Sequence, residues 1–541
     1  MSFNGNVSNA NAGLFETYLI SGKPMDKALR KIVIVGGGSA GWLTAGIIAS
    51  EHATELGTGL EIILVESADV APIGVGEGTW PSMRTTLKKM GISETDFLLE
   101  CDASFKQGSK FTNWNTNTNE YYYHPYTLPH GFNNTNLAPF WQPYRDKISF
   151  ADAVSTQSQL GEYGLAPKQI STAEYDFNAN YGYHLDAGKF AGLLQKHCTK
   201  KLGVKHLIDH VTQVNEAESG DIASITTKKH GDILGDLFID CTGTSSVLLG
   251  KHFGIPFISK KHILFNDSAL AVHVPHQSPD SPIDSFTCST AQSAGWIWDI
   301  ALPSRRGVGY TYSSSHITDE KAEKELRDYI TPIVGLSAAK TINIRKINFT
   351  PGHKEKFWHK NCVAVGLSAG FIEPLEATAL ALIELSAKMI SEQLPANRQT
   401  MDIVAKRFNT KFLHRWQNIV DFLKLHYVLS KRTDSDYWRE ISEHKQLPDT
   451  LQEQLLLWKT QSPYYYDATH TEEMFPSASY QYILYGMGFV TDTPRKKRLN
   501  SSKKADILFN ENLKHTQHLL STLPKNRELI NKIKQYGLPK I

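Results

Sequence analysis

Residues 295–300 read Gly-Trp-Ile-Trp-Asp-Ile. Side chains on a β-strand alternate between faces, so Trp296 and Trp298 are expected side by side on one surface. Two adjacent indoles make a broad, rigid wall that excludes water, although such a pair is also ordinary core filling. A more direct chemical signal stands near the N-terminus. Gly36-Gly37-Gly38-Ser39-Ala40-Gly41-Trp42 follows the β-branched run 31–35 and precedes the helix-like residues 43–50. The glycines at 36, 38 and 41 fit GxGxxG: a tight turn, a close approach of backbone to pyrophosphate, and close helix–strand packing. The pyrophosphate would sit at the helix N-terminus, where unpaired N–H groups favour anions. A second strand over 60–65 leads to Glu66, placed to bond a ribose hydroxyl. Glycines alone are a weak signal, but strand, glycines, helix, strand and acid in this order specify a nucleotide site. His184 and Asp186 have metal-like spacing, but two ligands do not complete a shell, and no metal site is expected.

The elements that must carry these residues read as an α/β protein. Residues 236–241 form another apolar strand, running into Thr242-Gly243-Thr244, and residues 361–365 a further one, running into Gly366-Leu367-Ser368-Ala369-Gly370. A late strand, glycine turn and helix returning to the first nucleotide site is the layout of glutathione-reductase-type FAD-binding folds. Pro374 suits a first helical turn, so a helix is expected to begin there and to aim its N–H groups at the flavin or a small anion. Over 408–427, Phe412, Trp416, Ile419, Phe422, Leu423 and Tyr427 recur at three- and four-residue steps, the period of a helix. The expected organisation is an N-terminal extension (1–24), an FAD-binding body (25–395) and a mainly helical C-terminal region (396–541) that closes a substrate pocket. The extension, preceding the start-like Met25, is expected to be dispensable for chemistry.

Composition narrows the function classes. A chain of 541 residues with 41% hydrophobic and 21% charged residues is an ordinary globular protein with room for more than one core. A formal charge of +2 gives no electrostatic case for nucleic-acid or membrane partners, and the basic run 494–498 reads as a solvated loop. Five widely spaced cysteines without CxxC point to a reducing, cytoplasmic compartment rather than a disulfide framework.

Taken together, the motifs resemble those of flavin-dependent tryptophan halogenases over nearly the whole chain after Met25. The resemblance rests on the glycine loop, Pro72-Ile73-Gly74-Val75-Gly76-Glu77-Gly78-Thr79, Ala103-Ser104-Phe105-Lys106 and Tyr183-His184-Leu185-Asp186. It continues through the tryptophan pair, Phe371-Ile372-Glu373-Pro374-Leu375-Glu376, and Arg432-Thr433-Asp434 with Tyr437-Trp438. It implies that FADH2 from a separate flavin reductase reacts with O2, that chloride or bromide is oxidised to hypohalous acid, and that this acid travels to a small aromatic substrate. The Trp296/Trp298 wall would keep that substrate from the oxygen-activating flavin. Lys106 would protonate or hydrogen-bond the hypohalous acid, or be halogenated itself. Glu376 would orient the ammonium, stabilise the cationic ring intermediate and help remove its proton. Thr378 and Ala379 would offer backbone N–H groups to the halide. Flavin contacts carry over to Gly36, Gly38, Ser39, Ala40, Gly41, Glu66, Ser67, Gly78, Val211, Leu367 and Leu380. His124 and Tyr126 would sandwich the substrate, with Phe475 a further substrate contact where the family has a stacking tryptophan. The resemblance leaves room for a homodimer.

The chain departs from the family pattern in places. Its Trp motif ends Ile300-Ala301-Leu302-Pro303, displacing a proline, and Ala377 and Ala379 stand where serine and glycine are expected. Phe475-Pro476-Ser477 replaces a stacking tryptophan with Asn-rich neighbours, beside Glu472, Glu473 and residues 464–466. The lysine–glutamate pair is intact while the grip on free tryptophan is altered, which weakens the case for tryptophan itself and points to another electron-rich aromatic, such as an indole derivative or phenol, or a larger molecule. Two alternatives remain at this level. One is a flavin-dependent aromatic hydroxylase, against which the 366–369 loop lacks a Gly-Asp pair; the other is a non-catalytic flavin-binding paralogue.

Overall fold

The computed structural model describes residues 28–69, 76–443, 445, 447–467, 473–492 and 501–540. The extension 1–24, residues 72–75 of the second motif, Glu472 and the basic run 494–498 lie outside them.

The apolar run Lys31–Val35 forms the centre of a six-stranded sheet. It is flanked in parallel by Glu61–Glu66 and Leu237–Asp240, so that Ile34 faces Leu64 on one side and Ile239 on the other. Lys205–Ile208 and Cys362–Ala364 extend the sheet in parallel, and the short Trp358–His359 closes one edge antiparallel. Strands buried on both faces need continuous apolar sequence, which these central runs supply. Helix α1 (Ser39–Glu51) leaves the glycine turn and is apolar on all sides, because helix Ala187–Lys201 and α2 (Thr378–Glu392) pack against it.

Two further sheets position the remaining motifs. Glu77–Gly78, Gly182–Leu185 and Ser104–Lys106 form a small antiparallel sheet, in which Gly78 and Ser104 both pair with His184 and Lys106 with Gly182. The chain then passes through Gln107 into Gly108–Thr112 of a seven-stranded sheet. That sheet also holds Tyr121–Pro125, with His124, and Gly295–Ala301, with the two tryptophans. Lys106 thus lies at the corner where the two sheets meet.

The helical period after residue 399 appears as α3 (Arg398–Val428), 31 residues long, and all six apolar positions named above are buried. Asn397 and Thr400 form a capping box that starts it. The chain end returns to the body: Arg527 donates to the Pro303 and Ser281 carbonyls, and Asn526 reaches the Phe105 carbonyl beside Lys106. No helix among the described residues is long and apolar enough to cross a membrane.

Candidate active site

The glycine loop forms a cradle in which side chains would not fit. Gly36 has a φ of +114°, and a Cβ there would lie 2.2 Å from the Cys241 carbonyl oxygen. A Cβ on Gly41 would lie 1.9 Å from the Gly36 oxygen. Gly38, by contrast, faces open space, where a phosphate can approach the backbone. Ser39 and Ala40 begin α1, whose N-terminus has no side-chain cap. Glu66 ends its strand over this loop, accepting from Trp42 Nε1 at 3.3 Å and pairing with His206 Nε2 at 3.0 Å. Ser67 contacts His210 Nδ1 at 3.1 Å, and Val211 begins the strand that follows. These residues fit the adenosine and pyrophosphate portions of FAD. A separate apolar pocket is lined by Leu367, Ile372, Thr378, Ala379, Phe412 and Trp416, with Leu380 buried nearby in α2. Its lining is mostly apolar and aromatic, which suits the face of a ring system.

The expected helix start at Pro374 is corrected by the structure. Glu376 and Ala377 take the left-handed conformation, with φ of 66° and 56°, and α2 begins only at Thr378. A left-handed pair cannot continue a right-handed helix. The break turns Glu376 out of the helix path and leaves the Thr378 end of α2 without a side-chain cap. Ala379 lies within this first turn with ordinary helical backbone.

Glu376 and Lys106 are buried near one another, without an ion pair between them, in an aromatic-walled chamber. The Glu376 carboxylate bonds His124 Nδ1 at 2.8 Å and lies 3.5 Å from His426 Nε2. Burial alone would raise this carboxyl, but the two imidazoles outweigh it and hold the group well below the usual carboxylate range. His124 is fixed from its other side by Ser479 at 2.9 Å, and His426 by Tyr122 at 2.8 Å. Lys106 is 1% exposed. Burial pulls its ammonium down to about 8, against the opposing influence of Glu376 and Glu77. Nζ lies 5.5 Å from the centre of the Tyr126 ring and would be 2.9 Å from any Cβ on Gly78, so this glycine makes room for the lysine. Trp80 donates to the Glu376 carbonyl at 2.9 Å and meets Phe475, which in turn stacks on Phe422 at 3.8 Å between ring centres. Lysine, carboxylate and a wall of aromatic rings can orient an electrophile, take up a proton and hold a flat apolar molecule.

Trp296 and Trp298 stand next to each other with ring centres 6.3 Å apart, but they meet edge to face at 65° rather than as a flat wall. Trp298 lies over Gly309 of the neighbouring strand, where a Cβ would fall 2.0 Å from the indole.

Sequence reasoning passed over several residues of this chamber. Glu77 lies inside the 72–79 motif; it is partly buried, and burial pushes its carboxyl up to about 7. Trp80 follows that motif directly, and His426 sits beside Tyr427 on the helix already read from its period. Ser479 carried no signal. His184 and Asp186 find structural partners: His184 bonds Thr287 at 2.9 Å, while Asp186 caps helix Ala187–Lys201 and pairs with Arg305 at 2.7 Å.

A nucleotide cradle on a parallel sheet, joined to a second, buried lysine–carboxylate chamber, defines a two-site α/β flavoprotein of the oxidoreductase type. The sequence profile of tryptophan halogenases matches residues 31–502, and the chain belongs to this family of flavin-dependent halogenases. The crystal structure of a tryptophan halogenase from Shewanella frigidimarina is 52% identical, with a TM-score of 0.93, and the match covers 96% of this chain and 100% of that one. A tryptophan 6-halogenase from Streptomyces toxytricini is 32% identical over 520 residues, spanning 92% of this chain and 97% of that protein. A tryptophan 7-halogenase from Lentzea aerocolonigenes is 29% identical over 547 residues, spanning 95% and 100% respectively.

Proposed function

We propose that this chain uses FADH2 from a separate reductase, O2, and chloride or bromide to halogenate tryptophan or a related electron-rich aromatic through Lys106 and Glu376. When bound, reduced FAD supplies the electrons with which O2 oxidises halide to hypohalous acid. The open glycine face, Glu66 and the pocket at Leu367 would hold that cofactor, and the N–H groups of Thr378 and Ala379 at the uncapped start of α2 would hold the halide. Trp296 and Trp298 would bar the organic substrate from the flavin and let the small acid pass.

In the chamber, the Lys106 ammonium donates a hydrogen bond, then a proton, to the oxygen of hypohalous acid. The oxygen–halogen bond breaks toward oxygen, a carbon–halogen bond forms on the ring, and oxygen leaves as water. Glu376, kept ionised by His124 and His426, takes the ring proton. An ammonium that titrates near 8 is mostly charged at neutral pH, which favours this donor role over a haloamine, since the latter requires the free amine. His124, Tyr126, Trp80 and Phe475 would frame the aromatic ring. The observation that carries the reading is the convergence of Lys106 and Glu376, from distant parts of the chain, in one buried aromatic chamber. Its relatives include both a 6- and a 7-halogenase of tryptophan, so family membership leaves the ring position open.

The test supplies purified protein with FAD, a flavin reductase and bromide or chloride, and offers tryptophan, other indoles and phenols. Mass spectrometry should show the halogen isotope pattern in at least one product. Lys106→Ala should lower product formation by about 10²–10⁴-fold with FAD binding retained. Halide-independent oxygen insertion would indicate a hydroxylase. No product from any substrate, with FAD bound, would indicate a non-catalytic paralogue.

A further inference from the structure

Glu373 lies three residues before Glu376, is 1% exposed, and has no role in the reaction derived above. One of its oxygens, Oε2, accepts from Trp296 Nε1 at 2.7 Å, Asn266 Nδ2 at 2.6 Å and the Tyr427 hydroxyl at 2.8 Å. Asn266 is in turn held by the Tyr437 hydroxyl at 3.0 Å. The other oxygen, Oε1, has no protein partner among the described residues. Three donors converging on a single carboxylate oxygen in a dry interior form a strong, directional anchor. Burial raises this carboxyl, and the three donors oppose that rise.

The anchor ties together the parts that the halogenase reading needs at a fixed spacing. Trp296 is one half of the partition, and the only side-chain hydrogen bond of its indole among the described residues is the one to Glu373. The loop from Glu373 to Glu376 carries the catalytic carboxylate. Adjacent residues of α3 hold both ends of that loop: His426 faces Glu376, and Tyr427 donates to Glu373. The two indoles are secured differently, since Trp298 is settled by close packing on Gly309 and Trp296 by a buried carboxyl acceptor. An indole held only by packing can change rotamer at modest cost, whereas one that donates to a buried carboxyl oxygen must break that hydrogen bond first.

We propose that Glu373 is a positioning residue for the partition: its carboxylate locks the Trp296 indole and sets the distance between the tryptophan wall and the Glu376 loop. This rests on the halogenase reading for its consequence in turnover, but not for its structural content.

The test has two arms. In the full chain without cofactor, ¹⁵N-indole NMR, with Trp296 assigned through Trp296→Phe, should show the Trp296 resonance moving in Glu373→Leu and largely restored in Glu373→Gln, whose amide oxygen can still accept. In turnover, halogenated product per flavin oxidised should fall about tenfold in Glu373→Leu, with hydrogen peroxide rising in its place, while FAD affinity stays unchanged. A purely structural role would lower thermal stability without splitting product from peroxide. A folded Glu373→Leu protein with an unmoved Trp296 resonance, or with unchanged coupling, would overturn the proposal. Should that variant not fold, Tyr427→Phe removes one donor and keeps every carbon, and a smaller shift in the same two readings is expected. The NMR arm needs no turnover, so it separates failure of this inference from failure of the halogenase reading.

Discussion

At the scale of single residues, the chamber depends on an ammonium with few direct partners. Among the described residues no carboxylate lies within ion-pairing distance of Lys106 Nζ, so its charge is supported through space by Glu376 and Glu77 against the cost of burial. The sign of the resulting pH dependence follows. Lys106 is protonated below about 8, so activity that needs the ammonium should fall as pH rises through that value. Glu77→Gln removes a negative charge that favours the ammonium, and the basic limb of the kcat profile should move to lower pH. A limb that stays in place would separate Glu77 from Lys106. The two catalytic candidates were named from their motifs. Their setting was not legible there, because His124, His426, Trp80 and Ser479 reach Glu376 or its partner only through tertiary packing.

At the scale of elements, the periods in the chain marked the central strands, the tryptophan strand and α3. Boundaries were the weak point. Pro374 looks like a helix start, yet the left-handed backbone of Glu376 and Ala377 delays α2 to Thr378. No side-chain pattern announces that geometry, since neither residue is a glycine. Two predictions belong here. Asn397→Ala removes the side-chain half of the α3 capping box and should cost about 1 kcal/mol, seen as a lower Tm without loss of the chamber chemistry. Gly309→Ala places a methyl group where the Trp298 indole lies. Overpacking of this kind costs about 1–3 kcal/mol, and product per flavin oxidised should fall as the partition shifts. Unchanged coupling in a folded Gly309→Ala protein would argue against a barrier role for Trp298.

At the scale of the whole molecule, the C-terminal region is stitched into the FAD-binding body rather than set beside it. Helices Ser501–Thr522 and Asn526–Tyr536 and the turn between them bury Leu519, Leu523, Leu529, Ile530 and Ile533, and Asn526 reaches the strand that carries Lys106. A chain ending at residue 492 should therefore lose soluble expression or show a markedly lower Tm, not merely reduced activity. A stable, well-folded product of that length would show the last two helices to be ornamental. Local sequence determined the nucleotide loop, the strand and helix periods, the indole pair and the two catalytic candidates. These are properties of short stretches, where residue type, spacing and backbone preference act within a few turns or strands. Only the tertiary structure decided what those residues are for one another. It alone places Lys106 at a corner between two sheets, the α3 histidine against a loop carboxylate, and Trp296 on Glu373. Such contacts join segments far apart in the chain, and they form only when burial of the intervening core brings the segments together.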